Sequence, residues 1–389
     1  MSIVKRQITE SIRSLLAKYP ILALTGPRQS GKTTLLKAIL PSYRYVSLEN
    51  PDERSFATED PVGFLKKYDT QVIFDEVQRT PNLFSYLQTL VDKSGQMGQF
   101  VLSGSQNFHL LERITQSLAG RVAIFKLLPF DSSELEAANL LPTDWKSLLI
   151  KGFYPAVYDR DLNPSIFYAN YLQTYIDCDL TELTHIQDMR KFRNFVSLCA
   201  GRNGQLLNMS HLANEAGISQ PTAKSWLSIL ESSYIIFLLP PYYENFNKRI
   251  VKTPKLYFYD VGLACFLLGL RQPAELEDQS LIGSLFENLV VADIIKKNQH
   301  QYLLRDFWFW RDAQGHEIDL LTRRGSGFDI FEVKSTQTIL PQLFSGLDRF
   351  STIAKGQVKT QTLVYGGAES QSRTHYQVST WKGVDLGPA

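Results

Sequence analysis

From Gly26 to Thr33 the chain reads Gly26-Pro27-Arg28-Gln29-Ser30-Gly31-Lys32-Thr33, matching Gly-x-x-x-x-Gly-Lys-[Ser/Thr] throughout, and Thr34 follows. These residue types suit a chain of phosphates. Gly26 and Gly31 permit a tight turn in which successive backbone N–H groups converge on anionic oxygens. A helix expected to begin here adds its unpaired N–H groups and the positive end of its dipole. Lys32 can reach the β- and γ-phosphates, and the Thr33 hydroxyl can ligate Mg²⁺. The expected ligand is therefore ATP with Mg²⁺, cradled by residues 26–34.

A second cluster completes the chemistry. The apolar run Val72-Ile73-Phe74 ends in two adjacent carboxylates, Asp75 and Glu76. In ATPases that carry an acidic pair here, the first acid holds Mg²⁺ through water and the second polarises the attacking water. Asp75 and Glu76 are expected in those two roles, since phosphoryl transfer needs positioning and charge neutralisation above all. The next apolar run, Phe100-Val101-Leu102, leads into Ser103, Ser105 and Gln106, any of which could touch the γ-phosphate. Ser105 is placed in the catalytic set. Arg121 precedes the run Val122–Leu128, where it is expected to act as a finger into a neighbouring subunit's site; Arg113 is the runner-up.

These side chains need a scaffold. Ile21-Leu22-Ala23-Leu24 suits a buried parallel strand before the loop, and Leu35, Leu36, Ile39 and Leu40 follow at helical spacing. An amphipathic helix is expected over 3–18 and another around Phe84, Leu87, Leu90 and Val91. Residues 43–48 read as a strand, followed by a polar loop containing Pro51 and Pro61. The result is an α/β core with a parallel sheet.

Gly26–Thr34, Asp75-Glu76-Val77-Gln78, Ser103-Gly104-Ser105 and Leu118-Ala119-Gly120-Arg121 together resemble a large family of bacterial and archaeal AAA-type ATPases with an uncharacterised C-terminal domain. Gly152-Phe153-Tyr154-Pro155 is similar to the Gly-x-[Tyr/Phe]-Pro element that follows the core in that family. The resemblance covers the whole chain. It implies an AAA+-like P-loop ATPase core over 1–150, a helical linker or lid over 151–200, a winged helix over 201–272, and a restriction-endonuclease-like α/β domain over 273–389.

The later segments carry their own signals. Aromatics at helical spacing between 164 and 200 read as core packing rather than a base-stacking platform. Leu206, Met209, Leu212 and Ala213 read as one helix, Gly217-Ile218-Ser219 as a turn, and Pro221 as the opening of a second helix. Ser219, Gln220, Thr222, Lys224 and Ser225 would lead that helix into a DNA groove. Lys248, Arg249, Lys252 and Lys255 lie between two expected wing strands, and Lys248 and Arg249 are expected to contact nucleic acid.

Beyond 275, an amphipathic helix around Glu287, three strands, a helix and a strand resemble the fold of PD-(D/E)xK nucleases. Glu332 and Lys334 alternate on one strand and so share a face. With Asp319 and Glu287, Glu332 would bind Mg²⁺ or Mn²⁺ through oxygen, and Lys334 would act on water or phosphate. His316 reads as a solvated strand-end residue.

With 389 residues, the chain can build two or three cores. Hydrophobic residues make up 44% and charged residues 21%, as in ordinary soluble proteins. A net charge of +2 neither requires nor excludes nucleic acid. Cys178, Cys199 and Cys265 lack metal or disulfide spacing, and no apolar run is of membrane-spanning length, so a cytoplasmic location is expected. The favoured reading is Mg-dependent ATP hydrolysis coupled to DNA binding or processing, in an oligomer if Arg121 is a finger. The alternative is a nucleotide switch whose C-terminal domains bind protein partners. A metabolic kinase ranks third.

Overall fold

A computed structural model describes residues 4–104, 117–174, 188–243, 252–277, 280–312 and 314–387. Five strands, β1 (Ile21–Thr25), β2 (Arg44–Ser47), β3 (Val72–Asp75), β4 (Phe100–Gly104) and β5 (Val122–Lys126), form a parallel sheet ordered β2-β3-β4-β1-β5. Every residue of β1, β3 and β4 is buried, so these strands read as continuous apolar runs. Their side chains nonetheless alternate between two cores. Leu22, Leu24, Ile73 and Val101 pack on helices α1 (Thr9–Leu16) and α2 (Lys32–Ile39). Ala23, Phe74, Phe100 and Leu102 face the opposite core.

That opposite core is covered partly by two helices where a polar loop was expected. These are α3 (Pro51–Glu59) and α4 (Pro61–Lys67), ahead of α5 (Leu83–Ser94). Asn50 accepts from Asp52 N and Asp60 from Gly63 N, both at 2.9 Å, so each proline stands at a first helical position that needs no donor. Pro51 and Pro61 start helices here rather than interrupting them. The helix expected over 3–18 is the shorter α1.

After β5, helices α6 (Ser132–Ala137), α7 (Trp145–Lys151), α8 (Pro155–Asp159), α9 (Pro164–Thr174) and α10 (Met189–Ala200) follow. Phe167, Tyr168, Tyr171, Phe192 and Phe195 are buried in their shared core, as expected of packing aromatics. Gly152 holds this region to the next. Its φ is +67°, and an added Cβ would lie 1.9 Å from the Tyr168 hydroxyl and 2.7 Å from Asp260 Oδ1. Asp260 meanwhile accepts from Phe153 N at 2.7 Å and from the Tyr168 hydroxyl at 2.6 Å. Gly152→Ala combines overpacking with a left-handed backbone, and is expected to cost roughly 2–4 kcal/mol. A urea-denaturation midpoint unchanged from wild type would refute this.

Helices α11 (Met209–Glu215) and α12 (Gln220–Ser232) flank a turn with Gly217 at φ +63°, and the antiparallel pair β6 (Ile236–Leu239) and β7 (Lys255–Phe258) follows. Asn208 caps α11 by accepting from His211 N, so Leu206 falls outside the helix and bridges to Lys255 instead. Helices α13 (Val261–Leu267) and α14 (Ile282–His300) lead into a six-stranded sheet. Its strands are β8 (Phe307–Arg311), β9 (Glu317–Arg324), β10 (Gly327–Lys334), β11 (Val358–Tyr365), β12 (Gln371–Ser372) and β13 (Gln377–Thr380), ordered β12-β13-β11-β10-β9-β8. Helix α15 (Ser345–Ile353) lies between β10 and β11. The expected succession of helix, three strands, helix and strand is present, with two more strands after it. One expectation fails: α14 is not amphipathic. Leu285, Asn288, Val290, Asp293, Lys296 and His300 are all buried, because this helix packs against β10, β7 and β5.

Candidate nucleotide site and acidic cleft

The loop after β1 closes tightly over the neighbouring strand. A Cβ at Gly26 would lie 2.1 Å from Leu127 O, and Gly31 sits at φ +94° as it opens α2. Both positions therefore favour glycine. Lys32 Nζ donates to Gly26 O at 2.8 Å and Pro27 O at 2.9 Å, which holds the buried ammonium across the loop. Thr33 Oγ1 donates to Asp75 Oδ2 at 3.0 Å, so the two motifs meet at one point.

Asp75 gathers more hydroxyls than sequence reasoning assigned. Ser103 Oγ donates to its Oδ1, and the Tyr45 hydroxyl donates to its Oδ2 at 2.5 Å. Burial, reinforced by the carboxylate, pushes the Tyr45 phenol above its ordinary pKa and keeps it a donor. Tyr45 was the missed member; its signal was a strand-borne polar tip beside the Asp75 strand. Glu76 adopts a left-handed φ of 53° and accepts from Gln78 Nε2. Asp75, Glu76, Thr33, Thr34, Lys32, Arg28 and Gln29 line one cleft of about 530 Å³, to which Tyr171 and Thr174 of α9 also contribute. A hydroxyl and a carboxylate at one end of a phosphate-binding loop are a donor set that fits a Mg-nucleotide.

A second cavity of about 300 Å³ shares Gln29, Gly31 and Thr34 with that cleft. Its walls include Phe130, Leu140, Pro155 and Tyr158, with Asp159 and Arg160 also lining it. No arginine stands out from the sequence of this region; the structure places Arg160 beside the loop. Behind the loop, Arg6 donates to Ser30 O at 3.0 Å and Leu128 O at 2.7 Å, and its Nε pairs with Glu134 at 3.0 Å. His300 Nδ1 lies 2.7 Å from Asp131 Oδ2. The acids and histidine gathered here are thus already engaged by Arg6 and one another.

Arg121 lies at the opposite end of the parallel strands from the loop at 26–33, just before β5, which pairs with β1 from Val122 opposite Ile21. Its Nε and Nη2 donate to Asp92 at 2.6 and 2.9 Å. It is remote from the loop at 26–33 of its own chain. Ser105, Gln106, Arg113, Cys178, Lys248 and Arg249 lie outside the described residues. Cys199 and Cys265 are buried free thiols. Ser219 caps α12 by accepting from Thr222 N at 3.2 Å, and Gln220, Lys224 and Ser225 are exposed on its leading part.

The C-terminal acids do converge, although with an unforeseen partner. Asp319, Glu332 and Lys334 share a cleft of about 710 Å³ with Glu287, Glu317 and Lys255. Lys334 Nζ is 2.6 Å from Glu332 Oε1 and 3.5 Å from Asp319 Oδ2. Lys255, expected on a basic wing, is buried instead. Its ammonium lies 2.8 Å from Glu287 Oε1, contacts Glu317 Oε1 and stands 3.8 Å from Asp319 Oδ1. Burial alone would lower the Lys255 pKa, but Tyr257 and the surrounding carboxylates drive it well above the ordinary value. Burial pushes Glu287 up to about 7 and Glu332 up to about 8, with Asp319 adding to both. Glu317 was missed, although its spacing of two from Asp319 on β9 puts both on one face. His316 Nδ1 lies 3.0 Å from Asp312 Oδ2 at the cleft edge and joins no carboxylate of the cluster.

The fold and site of the first part define an AAA-type P-loop ATPase core. Residues 18–136 match the family described as AAA domain. Residues 142–274 and 282–382 match two families described as domains of unknown function, DUF8612 and DUF4143. The chain is 29% identical over 342 residues to uncharacterized protein Rv2008c of Mycobacterium tuberculosis, covering 87% of this chain and 75% of that protein. Uncharacterized protein Mb2031c of Mycobacterium bovis gives the same figures. Among solved structures, the Walker-type ATPase PABY2304 of Pyrococcus abyssi is 15% identical with a TM-score of 0.45, covering 68% of this chain and 96% of that one. Among the described residues, no helix is long and apolar enough to cross a membrane.

Proposed function

We propose that this chain hydrolyses ATP with Mg²⁺ and couples turnover to DNA held by its later domains. The observation that carries the ATP reading is the 3.0 Å bond between Thr33 and Asp75, which joins the phosphate loop to the acidic strand end. When bound, Mg-ATP supplies the phosphoanhydride bond to be cleaved. Residues 26–34 would wrap its phosphates, Lys32 would neutralise β- and γ-oxygens, and Thr33 and Asp75 would orient the ion. Glu76 would hold and polarise the attacking water. The apolar cavity beside Phe130 and Tyr158 suits the base. Ser105 retains its sensor role as a proposal. So does Arg121, which would serve a neighbouring subunit once released from Asp92 and would make the active form an oligomer.

The exposed start of α12, with Ser219, Gln220, Thr222 and Lys224, is the proposed DNA contact, joined by Lys248 and Arg249. The buried free thiols agree with a cytoplasmic location. In the C-terminal cleft the residues do not fit a resident divalent ion as arranged, since Lys255 already engages Glu287 and Glu317. A second reading, a nucleotide switch acting on protein partners, draws on the single lysine in the leading part of α12.

The two readings part in one experiment. ATP turnover is measured at low salt with and without linear, branched and single-stranded DNA. The DNA reading expects stimulation of severalfold or more that fades as salt is raised. Turnover indifferent to every DNA, with no retention on DNA, favours the protein switch.

A further inference from the structure

Lys255 comes from outside the domain whose acids it neutralises. It opens β7, within the segment matched over 142–274, whereas Glu317, Asp319 and Glu332 belong to the sheet matched over 282–382. Glu287 on α14 completes the ring, and the Tyr257 hydroxyl, two residues along β7 from Lys255, donates to the same Glu287 oxygen at 2.5 Å. A single strand thus supplies both a cation and a hydroxyl to acids of the next domain. The remaining cations, Lys334 and Arg311, are local to the C-terminal sheet and lie at the cleft's exposed side.

The acids are not fully served by this arrangement. Glu332 is 8% exposed and lines the cleft, and its Oε2 is buried without a hydrogen-bond partner. A carboxyl oxygen buried without a partner is costly unless a further ligand meets it. The cleft therefore has both an unmet acceptor and a lysine standing among the ligands a divalent ion would use.

We propose that Lys255 is a built-in counter-cation that excludes divalent metal from the Glu287, Glu317, Asp319 and Glu332 cleft, and that the cleft takes Mg²⁺ or Mn²⁺ only when β7 withdraws it. This rests on reading the cleft as a metal site of the nuclease type, and is independent of the ATP site. Position favours the ammonium over a hydrated ion for a simple reason. The lysine is covalently tethered and buried, so its effective concentration exceeds that of free metal as long as β7 stays docked.

The test is Mn²⁺ binding to the full chain without nucleotide, by calorimetry. Wild type is expected to show no cleft binding tighter than roughly millimolar. Lys255→Gln is expected to gain at least about tenfold in affinity for one ion, Lys255→Arg to gain nothing, and Asp319→Asn placed on Lys255→Gln to abolish the gain. Thermal unfolding supplies a second measurement, because a ligand that binds only the native state raises its melting temperature. Millimolar Mn²⁺ should raise the melting temperature of Lys255→Gln several degrees more than that of wild type. Tight Mn²⁺ binding to wild type that Asp319→Asn removes would overturn the proposal. So would a folded Lys255→Gln with wild-type affinity. Should Lys255→Gln not fold, Lys255→Met, which keeps the apolar stem and removes the charge, takes its place with the same gain expected and the same absence of gain overturning the proposal. Neither result bears on ATP turnover, so failure here is separable from failure of the ATPase reading.

Discussion

Glu76→Gln is expected to bind ATP within a few-fold of wild type while losing roughly 10²–10⁴ in turnover, the range associated with removing a positioned general base. The substitution is nearly isosteric, so the cleft should keep its shape. Gln78 Nε2 donates to a Glu76 oxygen, a bond that the amide oxygen of glutamine can also accept. What is lost is the negative charge that polarises water. The left-handed backbone at Glu76 is part of the device, since it turns the chain immediately after Asp75 and lets two adjacent acids serve one cleft. Strain of that kind costs on the order of 1–3 kcal/mol and persists where surrounding structure enforces it. Steady-state hydrolysis beside fluorescent-nucleotide titration separates binding from chemistry. Full turnover by Glu76→Gln would remove Glu76 from the reaction.

Lys32→Ala should fail one step earlier. The Lys32 ammonium is buried and donates to Gly26 O and Pro27 O. A phosphate chain offers it stronger, charge-assisted bonds, so exchange of partners favours nucleotide entry. Removing the ammonium forfeits those bonds and leaves phosphate charge uncompensated in a partly enclosed cleft. An affinity loss of about 100-fold or more is expected, consistent with roughly 3 kcal/mol for a buried charged contact. Circular dichroism should show the variant folded, because α2 keeps its apolar anchors Leu35 and Leu36. Retained micromolar ATP affinity would mean that the loop at 26–33 is not the phosphate site.

Most of the candidate nucleotide site was legible from residue order alone. The loop, the helix after it and the acidic strand end are each local, and their spacing follows from strand and helix periods. The parallel sheet was equally readable, because strands buried on both faces leave uninterrupted apolar runs. Prolines misled at 51 and 61: the side chains of Asn50 and Asp60 turn the following residues into helix starts, and a polar composition conceals that.

Lys255 shows where such reading stops. By neighbours in the chain it is one more base between two wing strands. The pairing of β7 with β6, with Leu239 opposite Lys255, and the packing of α14 against β7 carry it instead into a ring of acids. Tyr45 and Arg160 are placed by the same kind of long-range packing, whereas Glu317 shares a strand face with Asp319 through local spacing alone. Chain order by itself determined which groups could handle phosphate, because each of the two clusters, at 26–34 and at 75–76, is a run of adjacent residues with its own local pattern. Which cation faces the C-terminal acids was decided only by tertiary structure, because charge pairing across domains depends on docking geometry that no local pattern encodes.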